Sequence, residues 1–152
     1  MKNKTAGKEI KNILSSVKQM VLCTCKQNKP WAATVIFAFD ENFNLYFFSS
    51  AERRHSKEIV GNDAVAGAIA SEHKKGLYEP VHLGLQFEGV CKLVSAEEAG
   101  VAYELYRKQH PRITEFHERK DARRELYKIR VSTFVVFDTS KKKMRQEIKW
   151  RS

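Results

Sequence analysis

Leu45-Tyr46-Phe47-Phe48-Ser49-Ser50-Ala51-Glu52-Arg53-Arg54-His55-Ser56-Lys57-Glu58-Ile59 is the stretch on which the reading of this chain turns. It opens as a strand, Leu45 to Ser49, and then changes period. From Glu52 to Val60 few residues are β-branched, and Gly61-Asn62 follows as a helix end would. The junction places hydroxyls at a strand end and the cations Arg53, Arg54 and His55 at a helix start. A phosphate suits that arrangement, because unpaired helix N–H groups and the positive end of the dipole attract an anion while Arg can grip two oxygens at once. The same spacing also fits an exposed basic first turn with no ligand.

Working upstream, Asp40 to Asn44 has turn chemistry, and Trp31 to Phe39 reads as a long strand. Before it, the polar turn Lys26-Gln27-Asn28-Lys29-Pro30 joins a strand from Met20 to Cys25. Ile10, Ile13, Leu14 and Val17 recur at i, i+3, i+4 and i+7, which predicts an opening amphipathic helix lying on the sheet. Short connections between the first three strands imply an antiparallel meander.

Downstream, Val65 to Ala70 returns to strand character, and a polar loop from Ser71 to Glu79 leads to a long strand over Leu83 to Val94. There Leu83, Leu85, Phe87 and Gly89 alternate with Gly84, Gln86 and Glu88, giving one apolar and one mixed face. Ser95 and Glu98 form a capping box for a helix over Ala96 to Gln109, with Val101, Ala102 and Leu105 expected inward and Pro111 preventing simple continuation. Residues 112 to 125 are polar and ambiguous. Leu126 to Asp138 is the last clear strand, and Lys141-Lys142-Lys143 opens a tail ending near Trp150.

The expected architecture is therefore mainly β with peripheral helices: a six-stranded antiparallel barrel forming a single domain over residues 1–152. Pattern alone leaves two barrels open, a split barrel and an oligonucleotide-binding barrel. The net charge is +10, from 28 Lys and Arg against 18 Asp and Glu, which favours anionic partners without choosing among them. Much of that excess lies in Lys2 to Lys11, Arg119 to Arg130 and Lys141 to Arg151, outside the β-rich centre. No apolar run approaches the roughly 20 residues of a membrane helix, and the charged start Met1 to Thr5 has no following apolar region, so a cytoplasmic location is expected. Cys23, Cys25 and Cys91 make an odd count without zinc spacing, which argues against a disulfide scaffold. Cys23 and Cys25 share one strand face and are expected to pack as small hydrophobes. No histidine stands at a recognisable spacing from a Ser or Cys nucleophile.

The stretch 45–59, with Pro30-Trp31-Ala32-Ala33-Thr34-Val35 upstream and Leu83-Gly84-Leu85-Gln86-Phe87-Glu88-Gly89 downstream, resembles the FMN-binding split-barrel family to which pyridoxamine 5′-phosphate oxidase belongs. The order of elements agrees from the first helix to about Asp138. The resemblance implies bound FMN, with the backbone of Ala33, Thr34 and Val35 along the flavin ring edge. Phe48 and Ser49 would lie near the ribityl phosphate, and Arg53, Arg54 and His55 around the phosphate itself. It also implies a homodimer with the flavin between subunits, where Gln86 could reach the ring from the partner. An ordinary outward-facing Gln86 fits the sequence equally well. Two departures stand out: Ala33 where the well-known oxidases carry Arg, and His55 where Lys is usual. The tail from Lys141 to Ser152 also lacks the Arg-and-His motif that holds substrate in true pyridoxamine phosphate oxidases, so the resemblance leaves the substrate unnamed. It leaves a flavin-dependent oxidoreductase and a non-catalytic flavin- or haem-binding module both open. The aromatic run Tyr46-Phe47-Phe48 keeps a nucleic-acid-binding barrel in view, although the RNA-recognition signature is absent.

Overall fold

The computed structural model describes residues 2–71, 83–119 and 123–151. In chain order these form α1 (Lys2–Ser16), β1 (Gln19–Lys26), β2 (Lys29–Phe39), β3 (Leu45–Ser49), α2 (Arg54–Gly61), β4 (Ala64–Ala70), β5 (Leu83–Leu93), α3 (Ala96–Gln109), α4 (Pro111–Arg119), β6 (Glu125–Asp138) and β7 (Arg145–Lys149). The strands follow the order β3-β2-β1-β4-β5-β6-β7 with antiparallel pairing throughout, and β3 also pairs with β6. Six strands thus close into a barrel, and β7 extends the sheet beyond β6. Closure pairs most of the strand edges that an open sheet would leave.

Each turn has a local cause. Lys26 pairs with Lys29 across a two-residue loop in which Gln27 and Asn28 both have positive φ, the conformation that matches strand twist in a tight hairpin. Asp40 organises the next turn: Oδ1 accepts the N–H groups of Asn42 and Asn44, each at 2.9 Å, while Oδ2 accepts from Asn44 Nδ2 at 2.6 Å and from the Tyr46 hydroxyl at 3.0 Å. Gly67 marks a close approach in the centre of β4, where a Cβ would lie 2.2 Å from the Phe87 ring and 2.6 Å from the Val21 carbonyl oxygen.

The barrel interior is filled from alternate strand positions, including Met20, Leu22, Leu45, Phe47, Leu85, Ile129 and Phe134, and α1 adds Ile10, Ile13 and Leu14 as its spacing predicts. A second apolar cluster lies between the barrel wall and α3. Its buried members are Ala38, Tyr46, Ala102 and Tyr106.

Several expectations need correction. Val101 is 78% exposed, because α3 turns Ala102 and Tyr106 inward instead. Cys23 and Cys25 are half-buried on the face opposite Leu22 and Thr24, so they lie outside the barrel core; only Cys91 is fully inside, where burial pushes its thiol up to about 12. The basic tail contains β7, which pairs with β6 from Thr133↔Lys149 to Phe137↔Arg145. Trp150 packs against Phe43 and Phe134, and its indole N–H donates to the Asn42 carbonyl at 3.0 Å, so the tail is anchored on the barrel core. The ambiguous segment after Gln109 contains α4, with Pro111 at its first position, where a missing N–H costs nothing. The loop expected at Ser71 to Glu79 lies, after Ser71, outside the described residues.

Candidate functional site

The barrel is split at β2. Residues Lys29 to Ile36 pair with β1 on one side, whereas pairing with β3 on the other is confined to Phe37–Phe39 against Leu45–Phe47. Backbone groups along a strand alternate between its two edges. Phe37 N–H donates to the Lys18 carbonyl, and both Phe37 and Phe39 are bonded on that same edge. The backbone groups of Ala32 and Thr34 therefore face the open edge. The Ile36 carbonyl there accepts weakly from the Tyr106 hydroxyl at 3.4 Å.

A cleft of about 610 Å3 occupies this opening. Along one side runs β2 from Trp31 to Ile36; at its base are Phe48, Ser49, Ser50 and the start of α2; Tyr106 and Arg124 complete it. Of the residues anticipated from sequence, Ala33, Thr34, Val35, Phe48, Ser49, Arg53, Arg54 and His55 all line this one cleft. Gln86 does not: it is exposed on the outer face of β5, opposite Ala68 and Val135.

The cations play different parts. Arg53 stands at the N-cap of α2 without a side-chain cap bond, and neither Arg53 nor Arg124 makes an ion pair among the described residues. Arg54 lies 4.3 Å above the Trp31 ring and donates through Nε to Glu58 Oε1 at 2.7 Å. His55 is buried, with Nε2 2.7 Å from Ser49 Oγ, and Ser56 donates to that same Oγ at 3.1 Å. Burial, with the charge of Arg53, holds the imidazole below its usual range, so His55 is neutral near pH 7. Here the structure corrects the sequence reading: one histidine does meet a serine. The pair orders the hydroxyls at the end of β3, and no carboxylate bonds Nδ1 of His55 among the described residues, as a triad would require.

Among the described residues, none that lines the cleft is acidic. A larger cavity of about 670 Å3 on the outer face of β5 and β6 is also basic, but there Lys92 pairs with Asp63 and Lys128 with Glu98. In the cleft at the split, Arg54 pairs with Glu58, while Arg53 and Arg124 make no ion pair among the described residues.

Sequence reading missed Arg124, Tyr106, Trp31, Ser50 and Gln19 as cleft residues. Arg124 precedes β6, whose register sets Glu125 against Ser49, so barrel closure carries it to the end of β3. No local motif marks that position.

An antiparallel barrel opened along one strand, with a cationic cleft at the opening, defines the class. Residues 6–136 match the family model described as pyridoxamine 5′-phosphate oxidase, and the chain belongs to that family. UPF0306 proteins of Yersinia pestis and Yersinia pseudotuberculosis are 27% identical over 93 residues, which span 60% of this chain and 61% of theirs. Among solved structures, a haem-binding protein from Mycobacterium smegmatis superposes with a TM-score of 0.80 at 14% identity, over 95% of this chain and 58% of that one. The haem storage protein HutZ from Vibrio cholerae gives 0.68 at 16% identity over 82% and 88%. A Listeria innocua protein provisionally named a pyridoxamine 5′-phosphate oxidase gives 0.64 at 18% over 86% and 97%. At these identities the structures establish the shared fold.

Proposed function

We propose that the cleft binds FMN and that the protein is a flavin-dependent oxidoreductase acting on a small molecule. The observation that carries this is the union of an open β2 edge with hydroxyls and with two arginines, Arg53 and Arg124, that make no ion pair among the described residues. Arg53 and Arg54, at the N-terminus of α2, would hold the phosphate together with Ser49 at the end of β3. The free N–H and C=O groups of Thr34 and Ala32 would meet the polar edge of the ring, while Phe48 and Tyr106 offer apolar contact. FMN would supply hydride transfer, and the chain's part is to orient the reactants and limit water.

A homodimer is part of this reading. The outer face of β4 presents Ala64, Ala66, Ala68 and Ala70, all exposed, beside an exposed Val21 and a half-buried Cys23. A second copy over this sheet would cover it and bring further residues, Gln86 among them, toward the cleft. Among the described residues, no helix is long and apolar enough to cross a membrane, in keeping with the cytoplasmic location proposed here.

The test is the absorption spectrum of the purified protein, followed by titration with FMN. Flavin bands, or binding at micromolar concentration that weakens by tenfold or more in Arg54→Ala, would support the reading. A Soret band in place of flavin bands would instead join this chain in function to the haem-binding proteins. Tight, steeply salt-dependent binding of single-stranded nucleic acid by a colourless protein would favour the nucleic-acid reading.

A further inference from the structure

Glu58 is a charged residue that the site does not obviously need. It is 5% exposed, it does not line the cleft, and a carboxylate behind an anion site opposes the anion. Its contacts explain its presence. Oε2 accepts from Thr24 Oγ1 at 2.5 Å, and Oε1 accepts from Arg54 Nε at 2.7 Å. Thr24 is the cross-strand partner of Trp31, and Trp31 is the ring beneath the Arg54 guanidinium. The four side chains therefore form a closed circuit from β1 to α2, back to β2, and across the ladder to β1.

That circuit fixes a guanidinium in two ways. The Nε bond sets the direction of its edge, and the indole face sets its plane. Among the described residues, its terminal Nη groups make no hydrogen bond, and Arg54 lines the cleft. What remains is the two-pronged edge that matches two oxygens of a phosphate.

We infer that Glu58 is a positioning residue: with Thr24 and Trp31 it aligns Arg54 for bidentate contact with the phosphate of the bound nucleotide. The inference rests on the FMN reading above and adds to it the device that orients one of its cations. It makes a prediction opposite in sign to simple electrostatics. Replacing Glu58 by Gln removes a negative charge beside an anion site, so charge alone predicts tighter binding. Loss of alignment predicts weaker binding.

The experiment measures dissociation constants for FMN and for riboflavin, which lacks the phosphate, in the full-length protein and in Glu58→Gln, Thr24→Val, Thr24→Ser and Arg54→Ala. Alignment predicts that Glu58→Gln weakens FMN about tenfold and leaves riboflavin unchanged. Thr24→Val should weaken FMN by a smaller factor, and Thr24→Ser, which keeps the hydroxyl, should restore it. In the Arg54→Ala background, Glu58→Gln should cause no further loss, because the residue it aligns is gone. Unchanged or tighter FMN binding in Glu58→Gln overturns the positioning role while leaving the cofactor site standing. Equal affinity of the unmutated protein for FMN and riboflavin overturns the phosphate site itself, and this role with it. Should Glu58→Gln not fold, the Thr24 pair decides: equal FMN binding by Thr24→Val and Thr24→Ser rejects the circuit.

Discussion

The two halves of β2 treat the same backbone in opposite ways. From Phe37 to Phe39 both edges are occupied: β3 covers one, and on the other, where β1 has ended, side chains substitute for a strand. The Gln109 carboxamide accepts from Phe39 N–H at 3.1 Å and donates to the Phe39 carbonyl at 2.8 Å, and His110 Nε2 lies 2.6 Å from the Phe37 carbonyl. From Ala32 to Thr34 one edge is unpaired among the described residues, beside a cleft rich in arginine. Unpaired backbone is costly only when water cannot reach it. The opening is local: at Phe37–Phe39 β3 pairs with the edge that Ala32 and Thr34 leave open, and the end of α3 takes over the edge that β1 has left.

The sharpest way to break this contrast is proline, which removes one N–H at a time. Val35 bonds toward β1, so Val35→Pro should lose about 2–3 kcal/mol in urea unfolding, through a lost ladder bond and an orphaned carbonyl. Thr34→Pro, one residue away, should leave stability within about 0.5 kcal/mol and instead weaken FMN binding about fivefold. Equal destabilisation by the two would show that the Thr34 edge is not open. On the sealed half, Gln109→Leu removes two backbone contacts and should cost about 1–2 kcal/mol in the same assay, with FMN affinity retained.

The smallest expected effect is on acid stability. His110 is buried, its Nδ1 has no partner among the described residues, and burial holds its pKa below the ordinary value despite the bond to Phe37. A folded pKa lower than the unfolded one means that the unfolded chain binds the proton more readily. The stabilisation is therefore complete above about pH 6.5 and is lost as pH falls through the lower folded value. His55 contributes in the same direction. Denaturation midpoints measured downward from pH 7 should fall, and His110→Gln should flatten the slope; an identical slope would place the titration elsewhere.

What could be read from the residues themselves follows the same division. The junction from Phe48 to His55 was legible because its hydroxyls and cations are contiguous in sequence. The barrel was legible because strands such as Leu83 to Leu93 alternate cleanly. Strand β7 was hidden, since Ile148 is the one buried residue in Arg145–Lys149 and the rest reads as a charged tail. Arg124 and Tyr106 were hidden for another reason: each reaches the cleft through pairing or packing between elements far apart in the chain. His55 was legible as a polar residue of the site but not as a neutral one, because its state depends on burial against the end of β3.

The β3–β6 ladder also has a consequence in time. Strands β1, β2 and β3 are neighbours joined by short turns, so they can pair early in folding. Leu45 meets Ile129 only when most of the intervening chain has collapsed, and contacts that distant in sequence form slowly. Arg124 reaches the cleft at the end of β3 in that same late event, so the complete cleft is among the last features to assemble. A ligand that needs the complete cleft cannot guide the early steps. It acts instead by mass action on the finished barrel, slowing its opening and raising the temperature at which it melts.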